Sequence, residues 1–457
     1  MNILVVAIGS YGDVLPLIGL ARQLYQRGHT VTFFSNGHFA DLVRQVGLVF
    51  VPMGTATDYD SMANDADLWH PHKGWRLIMK RLVSEGLQEA YQLLKSHLVP
   101  HRTIMISSTL GFVARLLQET HHVPHATVHF SPGVFHSAYH APKMPNLPLP
   151  DWLPVPFKRG VWTLLDHTLI DPVMKSNLNR FRRKLGLPPV SRIFHNWLHS
   201  PHLVLGLFPE WFAPSQPDWP PQTQATGFPL FDDPYNAALL PAVQEFLAQG
   251  SAPLVFTPGS AMKHGRRFFL ESAEACQVLE RRGIFLTQYS EQLPRPLPKE
   301  VQHFSYIPLS QLLPHSAALI HHGGIGTCSQ ALRAGIPQLI QPMAFDQFDN
   351  AARVKKLGVG AMISKRSFRA PKIAQRLQQL LGSAVVETQC QGITKNFVNE
   401  DAILKSCERI EATLNPLLTF SDSMSMGSIV DNRLNPCIFQ EWPRIHSLSL
   451  MNFAKPW

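Results

Sequence analysis

Cysteine is scarce and unpatterned in this chain: Cys276, Cys328, Cys390, Cys407 and Cys437 are the five among 457 residues, odd in number and without a Cys-x-x-Cys pair. That excludes a disulfide framework or a zinc cluster as organising device and is what a reduced cytoplasm leads one to expect. Long apolar runs are missing too, none reaching the ~18 residues of a membrane span. The amino terminus has neither the basic stretch nor the cleavage site of a secretory signal. Charge is sparse, 16% against 45% hydrophobic residues, which places the chain with core-forming globular proteins rather than disordered ones. What charge there is leans positive, +9 overall, in short clusters at residues 180–184, 263–267 and 355–356. Most such clusters are solvated faces, but they also suit nucleotide phosphates or an anionic lipid surface. No basic patch interleaved with stacking aromatics accompanies them, so nucleic acid is not an expected partner.

The length suggests two domains of about 200 residues each. Residues 3–8 form a continuous apolar strand, followed by the turn Gly9-Ser10-Tyr11-Gly12-Asp13. Leu17, Ile18, Leu20, Ala21 and Leu24 recur at helical spacing before Gly28, and residues 31–34 read as the next strand. Further α/β alternation follows, with helices near 39–46, 75–97 and 112–119 and strands at 48–52, 103–107 and 126–130. Between 131 and 240 proline- and tryptophan-rich loops flank a helical pair at 159–185. Alternation then resumes, with strands at 254–257, 284–288, 303–307, 317–320, 338–343 and 360–363. Helices are expected at 268–281, 310–315, 328–334 and 347–357. The expected fold class is therefore α/β, two Rossmann-like, doubly wound domains facing across a cleft. Boundaries are drawn at 1–225, a linker at 226–240, 241–414, and an atypical tail at 415–457 without clear periodicity.

The stretch His321-His322-Gly323-Gly324-Ile325-Gly326-Thr327 lies between an apolar strand and a helix. Small residues at such a turn let backbone N–H groups and the positive helix end approach a phosphate, with His322 as an added donor. One βα unit later comes Asp346-Gln347-Phe348-Asp349-Asn350, just past the carboxyl end of a strand. Carboxylate and amide groups there suit sugar hydroxyls, and such positions in an α/β sheet line the ligand crevice. The competing reading is that the glycines only close a turn and Asp-Gln caps a helix. Gly9-x-x-Gly12-Asp13 is not a dinucleotide fingerprint, and Asp13 would repel a pyrophosphate. Asp13 is either an N-terminal cap, with Pro16 in the first turn, or a base that takes a proton from an attacking hydroxyl.

These residues resemble the inverting GT-B glycosyltransferases of family 1, on the branch whose amino-terminal domain reads Gly-Ser-x-Gly-Asp-Val-x-Pro. Here that is Gly9-Ser10-Tyr11-Gly12-Asp13-Val14-Leu15-Pro16, of family 28 type. The carboxyl-terminal signature is similar across 306–360, and the resemblance spans residues 1 to about 410. Within the family the chain is most similar to the rhamnosyltransferase B chains of rhamnolipid biosynthesis, through Arg182-Arg183-Lys184-Leu185-Gly186-Leu187, the 207–214 and 226–232 segments and Asp346-Gln347-Phe348-Asp349-Asn350-Ala351. The resemblance implies that Asp13 is the general base and that Ser260, His322, Gly324, Gly326 and Thr327 hold the donor diphosphate. Asp346 and Gln347 would hold the donor sugar, and Tyr306 and Ile307 the nucleotide base. It implies transfer of a hexose or deoxyhexose, of glucose or rhamnose type, from a UDP or dTDP sugar to a small or lipid-like hydroxyl acceptor. Inversion at the anomeric carbon and no metal or other cofactor are expected, in a cytoplasmic enzyme with room for peripheral contact with the inner face of the membrane. A sugar-nucleotide epimerase of the same fold and a non-catalytic nucleotide-sugar-binding subunit are the alternatives. Family members usually finish with a helix that packs back on the first domain, and the texture after Leu414 shows none.

Other constellations are weaker. Asp65-Ala66-Asp67 matches an Asp-x-Asp metal pattern but sits in a polar loop, and His121-His122 and His70-x-His72 lack further ligands. The tryptophans concentrate in the first domain and before the linker, where they read as core or as the lining of an apolar acceptor pocket.

Overall fold

The protein is described here by a computed structural model covering residues 1–425 apart from 71–72, 146, 148 and 232–238. Cys437, His72, part of the expected linker and residues 426–457 of the expected tail lie outside the described residues.

The amino-terminal run of Ile3, Leu4, Val5 and Val6 is buried on both faces, as a central strand of a parallel sheet must be. It forms β1 (Asn2–Val6), joined by β2 (Thr30–Ser35), β3 (Val49–Pro52), β4 (Thr103–Ser108), β5 (His125–His129), β6 (Leu203–Gly206) and β7 (Thr223–Ala225). These make one seven-stranded sheet in the order β3-β2-β1-β4-β5-β6-β7, every pairing parallel. The second sheet consists of β8 (Leu254–Thr257), β9 (Gly283–Leu286), β10 (Val301–Phe304), β11 (Ala318–His321), β12 (Gln338–Ile340) and β13 (Gly360–Met362). Its order is β10-β9-β8-β11-β12-β13, again parallel throughout. Strand order reverses between β1 and β4 in one sheet and between β8 and β11 in the other. A ligand crevice opens at such a switch point; the turns at 9–13 and 321–327 singled out in the sequence follow β1 and β11, and Ser260 lies on the turn after β8.

Two expectations need correction. The helical pair at 159–185 is a single run: an α-helix Val155–Leu165, a π-helical turn Asp166–Ile170 and an α-helix Asp171–Lys184, with right-handed helical backbone at both junctions. The closing helix is present, at Ala402–Ser425, running past 414 through Pro416. Cys407, Ile410, Leu414 and Leu418 join the core formed under β1, β2 and the helix Tyr11–Gln26. Arg27 grips Glu411 through Nε (2.8 Å) and Nη2 (2.6 Å), and His29 adds a contact at 2.8 Å. The last described helix of the carboxyl-terminal half therefore packs into the core of the amino-terminal domain.

Candidate functional site

The first half of the site is built at the end of β1. The helix Tyr11–Gln26 opens with a capping box in which Ser10 is the N-cap and Asp13 the third helical residue. The Ser10 N–H donates to Asp13 Oδ2 at 2.8 Å and the Ser10 hydroxyl at 3.2 Å. The carboxylate folds back over Gly9, whose φ of +140° is open to glycine alone and where any Cβ would collide with it. The cap reading of Asp13 thus describes one oxygen; among the described residues none donates to Oδ1. Burial pushes the Asp13 carboxyl up to about 6, the Ser10 N–H opposes this, and the nearby Asp346 charge adds to the rise.

The second half gathers at the ends of β8, β11 and β12. His321 belongs to the sheet: it is fully buried, Nε2 lies 3.0 Å from Gln338 Oε1, and Nδ1 accepts the Gly323 N–H at 3.1 Å. His322 points elsewhere, its ring held against Gly259 and Gly324, where a Cβ on either residue would press on the imidazole. Its Nδ1 is buried with no partner among the described residues, and burial alone drives its pKa down to about 4, so the ring is neutral. Gly324 is the N-cap of the helix Ile325–Ala334 and supplies no side-chain cap. The first-turn N–H groups near Gly326 and Thr327 therefore stand open beside an unsatisfied imidazole nitrogen, an arrangement made for an anion. Ser260 is exposed on the turn after β8 and follows Gly259, which touches His322.

After β12 the chain turns at Phe345, a bulky residue at φ +56° and 40% exposed, whose ring meets Trp69 of the first domain edge-on at 6.1 Å. Asp346 follows, pushed up to about 6 by burial and lowered in part by its hydrogen bond to Asn350. Gln347 is buried and its Oε1 accepts the N–H groups of Met343 (2.8 Å) and Ala344 (3.1 Å), so that oxygen shapes the turn. Tyr306 and Ile307 follow β10, which β9 and β8 separate from β11. Tyr306 is 39% exposed, and the Ile307 side chain is packed in the core with Leu312 and Leu319.

Asp349 and Asn350 belong to the polar cluster expected to line the crevice but were given no individual role, and Ser131 was part of no predicted site. Asn350 Nδ2 donates to the Gly323 carbonyl (3.0 Å) and to Asp346 Oδ2 (2.8 Å), while its Oδ1 accepts the Ser131 hydroxyl of the first domain (3.1 Å). Asp349 accepts the Lys143 N–H at 3.0 Å and pairs with Arg353 at 2.7 Å. The signal was available in the spacing: Asp346 and Asn350 stand one helical turn apart. Asn350→Ala is expected to cost about 3 kcal/mol, because it orphans three buried partners at once. Urea unfolding checks this, and a midpoint unchanged from the parent would show that the three bonds carry no weight.

A cavity of about 400 Å³ opens between the domains, lined by Trp69, Pro258, Met262, Arg267, Met343 and Lys365 among others. It lies beside the predicted residues and includes none of them. Asp65 and Asp67 are engaged elsewhere: Asp65 Oδ1 accepts the Asp67 N–H (2.9 Å) and Asp67 pairs with Lys73 (3.0 Å). His122 ends its helix in the left-handed conformation, and His121 meets Thr120 at 2.7 Å. Of the tryptophans, Trp162, Trp197 and Trp219 are core.

Known proteins are similar to this chain in sequence and in fold. Residues 3–139 match the glycosyltransferase family 28 N-terminal domain, and residues 283–405 match the Erythromycin biosynthesis protein CIII-like C-terminal domain. O-mycaminosyltylonolide 6-deoxyallosyltransferase of Streptomyces fradiae is 28% identical over 381 residues, 79% of this chain and 85% of that protein. Sterol 3-beta-glucosyltransferase of Debaryomyces hansenii is 24% identical over 442 residues, 90% of this chain but 26% of its own length. Among solved structures, the glycotransferase of kitacinnamycin superposes with a TM-score of 0.71 at 18% identity, covering 90% of this chain and 99% of its own. Glycosyltransferase VinC in complex with dTDP gives 0.65 at 18% identity, covering 92% and 100%.

Proposed function

We propose that this GT-B glycosyltransferase, with its family 28 N-terminal domain and its Erythromycin-CIII-like C-terminal domain, moves a deoxyhexose or hexose from a dTDP or UDP sugar to a hydroxyl of a small or lipid-like acceptor. The observation that carries the reading is the pairing across the cleft of a raised, half-free carboxylate, Asp13, with an uncapped helix end and the unsatisfied His322. The rhamnose-type donor rests on the resemblance to rhamnosyltransferase B chains. Support for dTDP comes from the dTDP complex of VinC, and the lipid-like acceptor from the sterol named for the yeast relative.

In this reading Asp13 Oδ1 takes the acceptor proton as the hydroxyl oxygen attacks the anomeric carbon. The bond from that carbon to the diphosphate breaks with inversion. The electron pair leaves on the diphosphate, where the first-turn N–H groups and the His322 N–H offset the growing charge, the task a magnesium ion would otherwise perform. Asp346 and Gln347 hold the sugar hydroxyls, Ser260 and Thr327 the phosphates, and Tyr306 with the Ile307 backbone the base. The enzyme works in the cytoplasm, with peripheral contact at the inner face of the membrane; no helix among the described residues is long and apolar enough to cross one.

A donor screen with the purified protein tests the reading. Thermal shift is expected with dTDP- or UDP-linked hexoses, and transfer to a hydroxylated fatty-acid ester or a sterol should persist in excess EDTA. Loss of transfer on chelation, restored by magnesium, would remove the metal-free mechanism; a shift without any transfer would leave a binding subunit.

A further inference from the structure

The helical run from Val155 to Lys184 has two unlike sides. Inward, Trp162 and Lys158 are 1% exposed; Trp162 Nε1 donates to the Ser137 carbonyl (3.2 Å) and Lys158 Nζ to the Tyr139 carbonyl (3.0 Å). Outward, Phe157 and Leu164 are 56% and 62% exposed, and two helical turns separate them, so they share a face. Leu169 (54%), in the π turn, and Trp152 (80%), just before the helix, extend the apolar surface at either end. The remaining exposed large apolar residues are scattered along the chain.

Charge on this segment has one sign. Between residues 155 and 190 the only carboxylates, Asp166 and Asp171, are buried against the 192–193 backbone and the Arg192 side chain. Arg159, Lys175, Arg180, Arg183 and Lys184 reach solvent with no acidic partner within the described residues. Beyond the apolar stripe the helix borders an open groove of about 500 Å³, lined by Pro172, Lys175, Ser176, Asn179, Arg183 and Pro189, with two cations and no acid. An apolar stripe with Trp, Phe and Leu, continued by unpaired Lys and Arg, is the surface of a helix that lies in a bilayer interface.

We infer that the Trp152–Lys184 face docks on an anionic lipid surface, the apolar stripe entering the acyl boundary and the Lys175–Arg183 groove receiving a headgroup phosphate. Charge complementarity favours lipid over a protein partner or a second copy: the exposed acid at its edge, Asp151, is paired with Lys143 (2.9 Å), and the two carboxylates within the helical run, Asp166 and Asp171, are buried. Its position also suits delivery: the loop packed under the helix continues to Lys143, whose N–H binds Asp349 beside the donor-sugar residues. The inference rests on the lipid-acceptor reading only for that last step.

Co-sedimentation of the full-length protein with vesicles, in the absence of donor, tests the surface by itself. Binding is expected to phosphatidylglycerol-containing vesicles, weakly to phosphatidylcholine alone, and to fall with salt. Lys175→Ser with Arg183→Ser should weaken it about fivefold per cation removed. Phe157→Ser with Leu164→Ser should weaken it on the order of tenfold or more. Turnover of a small water-soluble acceptor by both variants should match the parent. No preference for anionic vesicles, or equal binding by the variants, would overturn the inference. So would a parent dimer that the Phe157→Ser, Leu164→Ser pair converts to monomer, which would assign the face to a second copy.

Discussion

Replacing Asp13 by Asn is expected to slow sugar transfer by on the order of a hundredfold to ten-thousandfold while leaving nucleotide-sugar affinity intact, the usual worth of a positioned general base. The same substitution should raise the thermal midpoint at pH 7.5. Folding carries this carboxyl from 3.8 to about 6, mostly by burial. Below pH 3.8 both folded and unfolded forms hold the proton and the shift has no effect. Between the two values the folded form binds the proton more tightly, so stability drains away as pH rises. Above about 6 the full cost is present, about 3 kcal/mol for a shift of roughly two units. Asn removes that cost at pH 7.5 and returns part of it through weaker bonds to Ser10; at pH 3.5 it should gain nothing. Activity should fall on the acid side near pH 6 rather than near 4, because the base must be ionised. Undiminished transfer would falsify the base assignment, and a lower midpoint at pH 7.5 would contradict the buried-charge account.

His322→Ala is expected to weaken binding of an intact nucleotide sugar roughly 10- to 100-fold, the worth of one hydrogen bond to a charged acceptor. A cationic histidine would make affinity decline as pH rises through 6.5. Burial holds this ring near 4, so it binds as a neutral donor and affinity should stay level from pH 5.5 to 8. Calorimetry across that range decides the matter: equal affinity in the variant removes His322 from the diphosphate, and a steep pH dependence lost in the variant shows a charged ring instead.

Strands were legible where burial is two-sided, because β1, β4, β8 and β11 are short apolar runs bounded by glycine or polar turns. β6 and β7 went unread inside the proline-rich stretch: Thr223–Ala225 is three half-buried residues whose strand character comes from pairing with β6 rather than from pattern. The closing helix was hidden for a related reason. Pro416 and the uncharged Thr413, Leu414 and Asn415 before it break the expected texture, while its stability comes from packing Ile410, Leu414 and Leu418 on the first domain. At the site, Asp13, His322 and Asp346 were visible as residue types at turns. The free oxygen of Asp13, the structural use of Gln347 Oε1 and the Asn350–Ser131 bridge depend on orientation across two domains, which no local pattern encodes.

The helix Ala402–Ser425 also bears on how the protein is made. Arg27 and Glu411 are separated by 384 residues, yet they meet in one contact under the first sheet. During synthesis the amino-terminal domain leaves the ribosome long before the helix that completes its core has been translated. Until then the groove over Leu20 and Leu24 stays uncovered, so the first lobe waits on the last and the nascent chain must be kept from aggregating through the interval.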